Sequence, residues 1–181
     1  MTQIQATIYQ RDQHNISRND IDPDALKIMY RLIRNGYKAY LVGGAVRDLL
    51  LNKIPQDYDI GTDATPRRIK SLFRNSRIIG RRFKLVHVYF RGNKIIEVST
   101  FRDETESALD DQRVSITTDN VYGDESTDAR RRDLTINGLF YDISSFSVID
   151  YVGGMADLQD GIVRIIGNPD KRFAEDPVRL L

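Results

Sequence analysis

The segment 37–61, YKAYLVGGAVRDLLLNKIPQDYDIG, constrains this chain more than any other. A β-rich run (37–42) ends in Gly43-Gly44, a short helix is expected over 45–51, and Pro55 breaks the chain before a strand over 57–61. Asp57 and Asp59 fall at i and i+2 of that strand, on one face and about 6.6 Å apart. Carboxylates so spaced can flank divalent ions, and two-metal phosphoryl-transfer sites hold their ions about 3.5–4 Å apart. Gly43 and Gly44 can bring bare backbone N–H groups against a phosphate. Most isolated pairs of this spacing are solvated turn acids; the glycine turn and helix upstream favour a nucleotide site with catalytic metal.

Which metal follows from what is missing. The chain has no cysteine and two histidines, which excludes disulfides and thiolate sites and leaves little for zinc. Oxygen-ligated magnesium or manganese remains. The length of 181 residues supports one full-sized core. No apolar stretch is long enough to span a membrane, and the start MTQIQATIYQRD lacks a signal pattern, so the expected location is cytoplasmic. Net charge is only +1, but it is segregated: residues 64–102 hold eleven Lys/Arg against the single acid Glu97, and residues 103–133 hold ten acids against four arginines. A solvated surface is the ordinary meaning of such a run; beside a candidate metal site it points to a polyanionic partner.

Residues 1–20 show no period and read as a flexible arm. Asp22-Pro23 caps a helix whose apolar stripe is Leu26, Met29, Leu32 and Ile33, closed by Gly36. Thr65-Pro66 starts another, with Ile69, Leu72 and Phe73 inward. A short strand over 77–80 and a hairpin of 83–90 with 94–101 follow, Ile96, Val98 and Thr100 on one face and Ile95, Glu97 and Ser99 on the other. Residues 103–127 read as a long functional or disordered loop. A helix over 128–139, short strands within 141–150, a turn at Gly153-Gly154, a strand over 162–166 and a helix after Pro169 complete the chain.

Glu97 is a candidate third carboxylate, or else a surface glutamate paired with an arginine. Arg47, early in the helix after the glycine turn, suits phosphate oxygens or a surface ion pair. Asp133 and Asn137 share a helical face that suits sugar hydroxyls, with Arg131 and Arg132 beside them for phosphate; capping and solvated arginines are the plainer reading. Arg81, Arg82 and Lys84 surround Phe83, an interleaving that suits single-stranded nucleic acid. His87 alternates with Val86 and Val88 and reads as a core histidine. Tyr58, between the two acids, points to the opposite face and reads as core.

Taken in order, LVGGAVRDLL, QDYDIGTDATP, IIEVSTFR, RRRDLTING, YVGGMADLQDGIVRIIGNP and EDPVR resemble the class II nucleotidyltransferases, the family of bacterial poly(A) polymerases and tRNA CCA-adding enzymes. The resemblance spans residues 14–181; IIGRRFKLVHV and HNISRNDID favour the poly(A) polymerase branch. It implies an α/β (α+β) fold: a polymerase-beta-like nucleotidyltransferase head over 21–167, a mixed β-sheet backed by helices, with the start of a truncated helical neck over 168–181. It implies Asp57 and Asp59 as ligands of two magnesium ions, manganese being possible. Gly43, Gly44, Arg47 and Arg132 would meet the triphosphate, Asp133 would be an essential carboxylate, and Glu175, Asp176 and Arg179 would read the base. ATP and an RNA 3′ end are the implied partners, with no membrane. CCA addition and non-catalytic RNA binding stay open as alternatives.

Overall fold

The computed structural model describes residues 5–80, 84–103 and 122–169. Its strands are β1 (Thr7–Tyr9), β2 (Ala39–Val42), β3 (Asp59–Thr62), β4 (Ser76–Ile79), β5 (Leu85–Tyr89), β6 (Ile95–Thr100), β7 (Leu139–Asp142) and β8 (Ser147–Asp150). Its α-helices are α1 (Pro23–Arg34), α2 (Gly44–Leu50), α3 (Pro66–Leu72), α4 (Glu125–Arg130) and α5 (Gly154–Asp160). The strands form one sheet in the order β1-β8-β7-β2-β3-β6-β5-β4. Only β3 and β6 run parallel, because the chain passes through α3 and the antiparallel strands β4 and β5 before returning beside β3.

Strand alternation sorts the side chains between two faces. Ile60, Val86, Val88, Ile96, Val98, Leu139 and Tyr141 enter the main core with Ile28, Met29 and Leu32 of α1, Val46 and Leu49 of α2, Ile69 of α3 and Met155 of α5. The opposite face carries a smaller cluster, Val42, Phe101, Ala129 and Phe140, the alanine coming from α4. Glycine at position 61 makes room for it: a Cβ there would lie 2.8 Å from Phe101 Cε1 and 3.1 Å from Val42 Cγ1.

The expected helix starts are present. The Asp22 carboxylate accepts from the N–H groups of Asp24 (2.8 Å) and Ala25 (3.3 Å), ahead of Pro23. Lys94 binds both Asp22 and Asp24, pinning α1 to the β5–β6 turn. Thr65 caps α3, and α2 follows Gly43.

Four expectations are corrected. Residues 5–20 are no loose arm: β1 pairs with β8 at the sheet edge, and Ile16 is buried in the main core. Isolated apolar residues in a polar stretch carry no period, so their burial was illegible. The helix expected over 128–139 stops at Arg130 and gives way to a 3-10 turn at Thr135–Asn137 and then to β7. The run at 162–166 forms only the bridge Leu134–Ile165 rather than a strand. The Gly153-Gly154 turn opens α5, a helix not anticipated, because the Asp150 carboxylate accepts from four successive N–H groups, Val152 to Met155, at 2.8–3.1 Å. Most of the neck start over 168–181 and most of the 103–127 loop lie outside the described residues.

Candidate active site

Sheet register builds the site. Val42 ends β2 and pairs with Asp59, the first residue of β3, and Asp59 lies beside Glu97 of β6. The chain then turns at Gly43, whose φ of 73° and ψ of −143° suit glycine. A Cβ there would meet Arg132 Nη1 at 3.2 Å and Asp59 Oδ2 at 3.9 Å. The bare backbone thus lets Arg132 lie across the turn towards Asp59.

The acids differ in setting. Asp59 is mostly buried, and burial, with Glu97 next and Asp57 adding, pushes its carboxyl up to about 6 against the opposing pull of Arg132. The strand expected over 57–61 begins only at Asp59, because β2 turns away at Gly43 and leaves nothing to pair further upstream. Asp57 therefore stands before the strand, exposed to solvent, and acts on Asp59 through its charge. Tyr58 is half-buried against the main core, its hydroxyl donating to the Asp20 carbonyl at 3.3 Å.

Opposite the acids stand the arginines that follow α4. Asp128, 1% exposed, accepts from Arg131 Nε at 2.8 Å, Arg132 Nη2 at 3.0 Å and the Arg102 backbone N–H at 3.2 Å. Arg132 also lies over the Phe140 ring, 5.4 Å from its centroid, and its Nε is buried without a hydrogen-bond partner. Sequence reading passed over Asp128, although i,i+3 and i,i+4 spacing to Arg131 and Arg132 was the available signal. Asp59, Glu97, Arg102, Arg131 and Arg132 converge with Val42 and Ser99 around an open, polar cleft of about 230 Å³.

Other expected residues fall elsewhere. Arg47 pairs with Asp48 (2.9 Å) and donates to Asn137 Oδ1 at 2.7 Å, and the Asn137 amide faces Asp133 at 3.4 Å. This chain of polar groups is separate from the cleft lining, and the exposed Asp133 accepts from the next backbone N–H, Leu134, at 2.7 Å. His87 is not a core histidine: it shares the face of Glu97, with Nε2 3.5 Å from the Glu97 carboxylate. Lys84 stands immediately before β5. Arg81, Arg82, Glu175, Asp176 and Arg179 lie outside the described residues.

Among the described residues no group of three or more His, Cys, Asp or Glu side chains forms an ion cage. Asp59 and Glu97 bring two carboxylates to one cleft, a set that fits magnesium, which keeps water and is bound through one or two carboxylates together with substrate phosphates. The upward push on Asp59 is of the kind a cation would relieve. No helix among the described residues is long and apolar enough to cross a membrane.

A mixed sheet packed with helices on one face and cut by a carboxylate–arginine cleft on the other is the head fold of the nucleotidyltransferase class. Residues 39–164 match the family model described as the poly(A) polymerase head domain, and the chain belongs to that family. It is 54% identical to poly(A) polymerase I of Escherichia coli O6:H1, over 98% of this chain and 39% of that protein. It is 37% identical to the CCA-adding enzyme of Staphylococcus saprophyticus, over 90% of this chain and 40% of that one. The crystal structure of the Bacillus stearothermophilus CCA-adding enzyme in complex with CTP superposes with a TM-score of 0.73 at 34% identity, covering 88% of this chain and 38% of that one. The chain thus spans about two-fifths of the length of these relatives.

Proposed function

We propose that this chain is the head of a template-independent RNA nucleotidyltransferase that transfers AMP from ATP to an RNA 3′ end and releases pyrophosphate. The observation that carries this reading is the cleft in which Asp59 and Glu97 face Arg131 and Arg132. Identity of 54% to a poly(A) polymerase I supports ATP as the nucleotide.

Magnesium, two ions in this reading with manganese as a substitute, supplies charge neutralisation and a lowered pKa for the RNA 3′-hydroxyl when bound. Asp59 and Asp57 would hold it. Glu97 presents a third carboxylate on the β6 side, towards which the hydroxyl would be oriented. Arg131 and Arg132, held by Asp128, set forked donors against the triphosphate, and the Gly43-Gly44 turn lets phosphate approach backbone. The 3′-oxygen attacks the α-phosphorus, the bond to pyrophosphate breaks in line, and the hydroxyl proton passes to solvent. No covalent enzyme intermediate is formed. Arg47 would exchange Asp48 for phosphate, Asp133 and Asn137 would meet the sugar, and Glu175, Asp176 and Arg179 would read the base. Arg81, Arg82 and Lys84 would hold RNA. A cytoplasmic location belongs to the same reading.

The test is incubation with a short labelled RNA, magnesium and each nucleoside triphosphate separately. Extension with ATP alone, lost in Asp57→Ala and Asp59→Ala while RNA binding persists, is expected. Full activity in either variant would sink the metal assignment. A second reading, CCA addition, is favoured by the match to the CTP-bound structure; C incorporation into tRNA lacking its CCA end would establish it. RNA binding without any turnover would leave a non-catalytic module.

A further inference from the structure

A single register line crosses four strands on the cleft side of the sheet. Asp59 of β3 pairs with Glu97 of β6, Glu97 with His87 of β5, and His87 with Arg77 of β4. Paired residues share a face, and the His87–Glu97 approach of 3.5 Å bears this out. Adjacent strands lie about 4.8 Å apart, so the line runs about 14 Å from the catalytic carboxylate to the sheet edge. Arg77 at its outer end is exposed and has no ion-pair partner among the described residues. Beside the line on the same face stand Tyr89, with its ring edge-on to His87 at 6.2 Å between centroids, and the exposed Ile95 and Ile79. Glu97 is the only acid in β4, β5 and β6.

We propose that this line is the track for the 3′-terminal nucleotides of the RNA. The inference rests on the transferase reading and deepens it. Arg131 and Arg132, which follow α4, with Arg132 across the turn at the end of β2, lie on the side of Asp59 away from β5 and β4, so the triphosphate and the RNA approach from opposite sides of that carboxylate. Tyr89 and His87 offer ring faces or edges to a base. Arg77 takes a backbone phosphate upstream of the 3′ end, at the reach of a few nucleotides. A cation at the far end and aromatic groups between suit single-stranded RNA, whose phosphates complement the one and whose bases complement the other.

The test uses the 181-residue chain with fluorescein-labelled hexa-adenylate, magnesium and ATP. Arg77→Ala should weaken hexamer binding by about five- to tenfold and reduce the slope of log K against log salt by about 0.7. Arg77→Lys should retain most of the affinity. Arg34→Ala, which removes the same charge from α1 on the other face, should leave it unchanged. ATP affinity should not move in any of them. In extension assays Arg77→Ala should raise KM for the hexamer and not for a dinucleotide primer, which is too short to reach the edge, with kcat unaltered. Equal losses in the Arg77 and Arg34 variants, no loss in Arg77→Ala, or no hexamer binding by the wild-type chain would each overturn the track. So would an Arg77→Ala effect confined to the melting temperature, which would mark the face as covered by protein. Hexamer binding that needs Arg77, in a chain that neither binds ATP nor extends any primer, would keep the track and remove the transferase reading.

Discussion

Burial next to Glu97 puts an electrostatic cost on Asp59. Its folded pKa near 6 lies above the unfolded value near 3.9, so between those limits the folded state holds more protons. Stability is therefore fully present below about pH 4 and falls as pH rises through about 6. Asp59→Asn should gain nothing at pH 3.5 and about 1–3 kcal/mol at pH 7.5 in the absence of divalent cation. Chemical denaturation at the two pH values measures this, and an equal gain at both would refute the charge explanation. Magnesium should narrow the gap by stabilising the wild type alone.

The turn between β2 and α2 is where an element's geometry becomes a property of the site. Gly43 combines positive φ with a Cβ position already contested by Arg132 and Asp59. Gly43→Ala should cost about 1–3 kcal/mol and shift Arg132, so nucleotide affinity should fall along with the melting temperature. A variant that loses stability while binding ATP normally would show that the turn supports the fold alone. The helix α4 acts similarly: its capping box at Asp124 and Thr127 fixes its start, which places Asp128 where both Arg131 and Arg132 reach it.

At the scale of the molecule, one face of the sheet is spent on the main core and the other carries a smaller cluster beside the carboxylate–arginine cleft. The N-terminal residues belong to the first: Ile16 is 1% exposed among core residues, and His14 bonds the Phe146 carbonyl at 3.0 Å. Ile16→Ala should cost about 2–4 kcal/mol in urea unfolding. A change within about 0.5 kcal/mol would mean that the segment is peripheral after all. The second face holds a small aromatic cluster at one end and leaves Ile79 and Ile95 exposed at the other.

Local chemistry was readable directly. Asp22-Pro23 and Thr65-Pro66 announce their helices, the RGN turn announces the β5–β6 hairpin, and alternation puts Glu97 on the face opposite Ile96 and Val98. Those features depend on neighbours in sequence, where capping and period-two patterning act. What only the tertiary structure decided is how distant segments meet. The parallel pairing of β3 with β6 sets Asp59 beside Glu97, and the end of β2 at Gly43 leaves Asp57 outside the strand. The line from Asp59 to Arg77 exists only because the long-range pairing of β3 with β6 falls in register with the local pairings of β6 with β5 and β5 with β4. The burial of Ile16 and the role of Asp128 likewise come from packing across the chain. Sequence thus determined which groups are candidates for the chemistry, because side-chain type is local. The sheet determined which of them face each other, because register is set by long-range pairing.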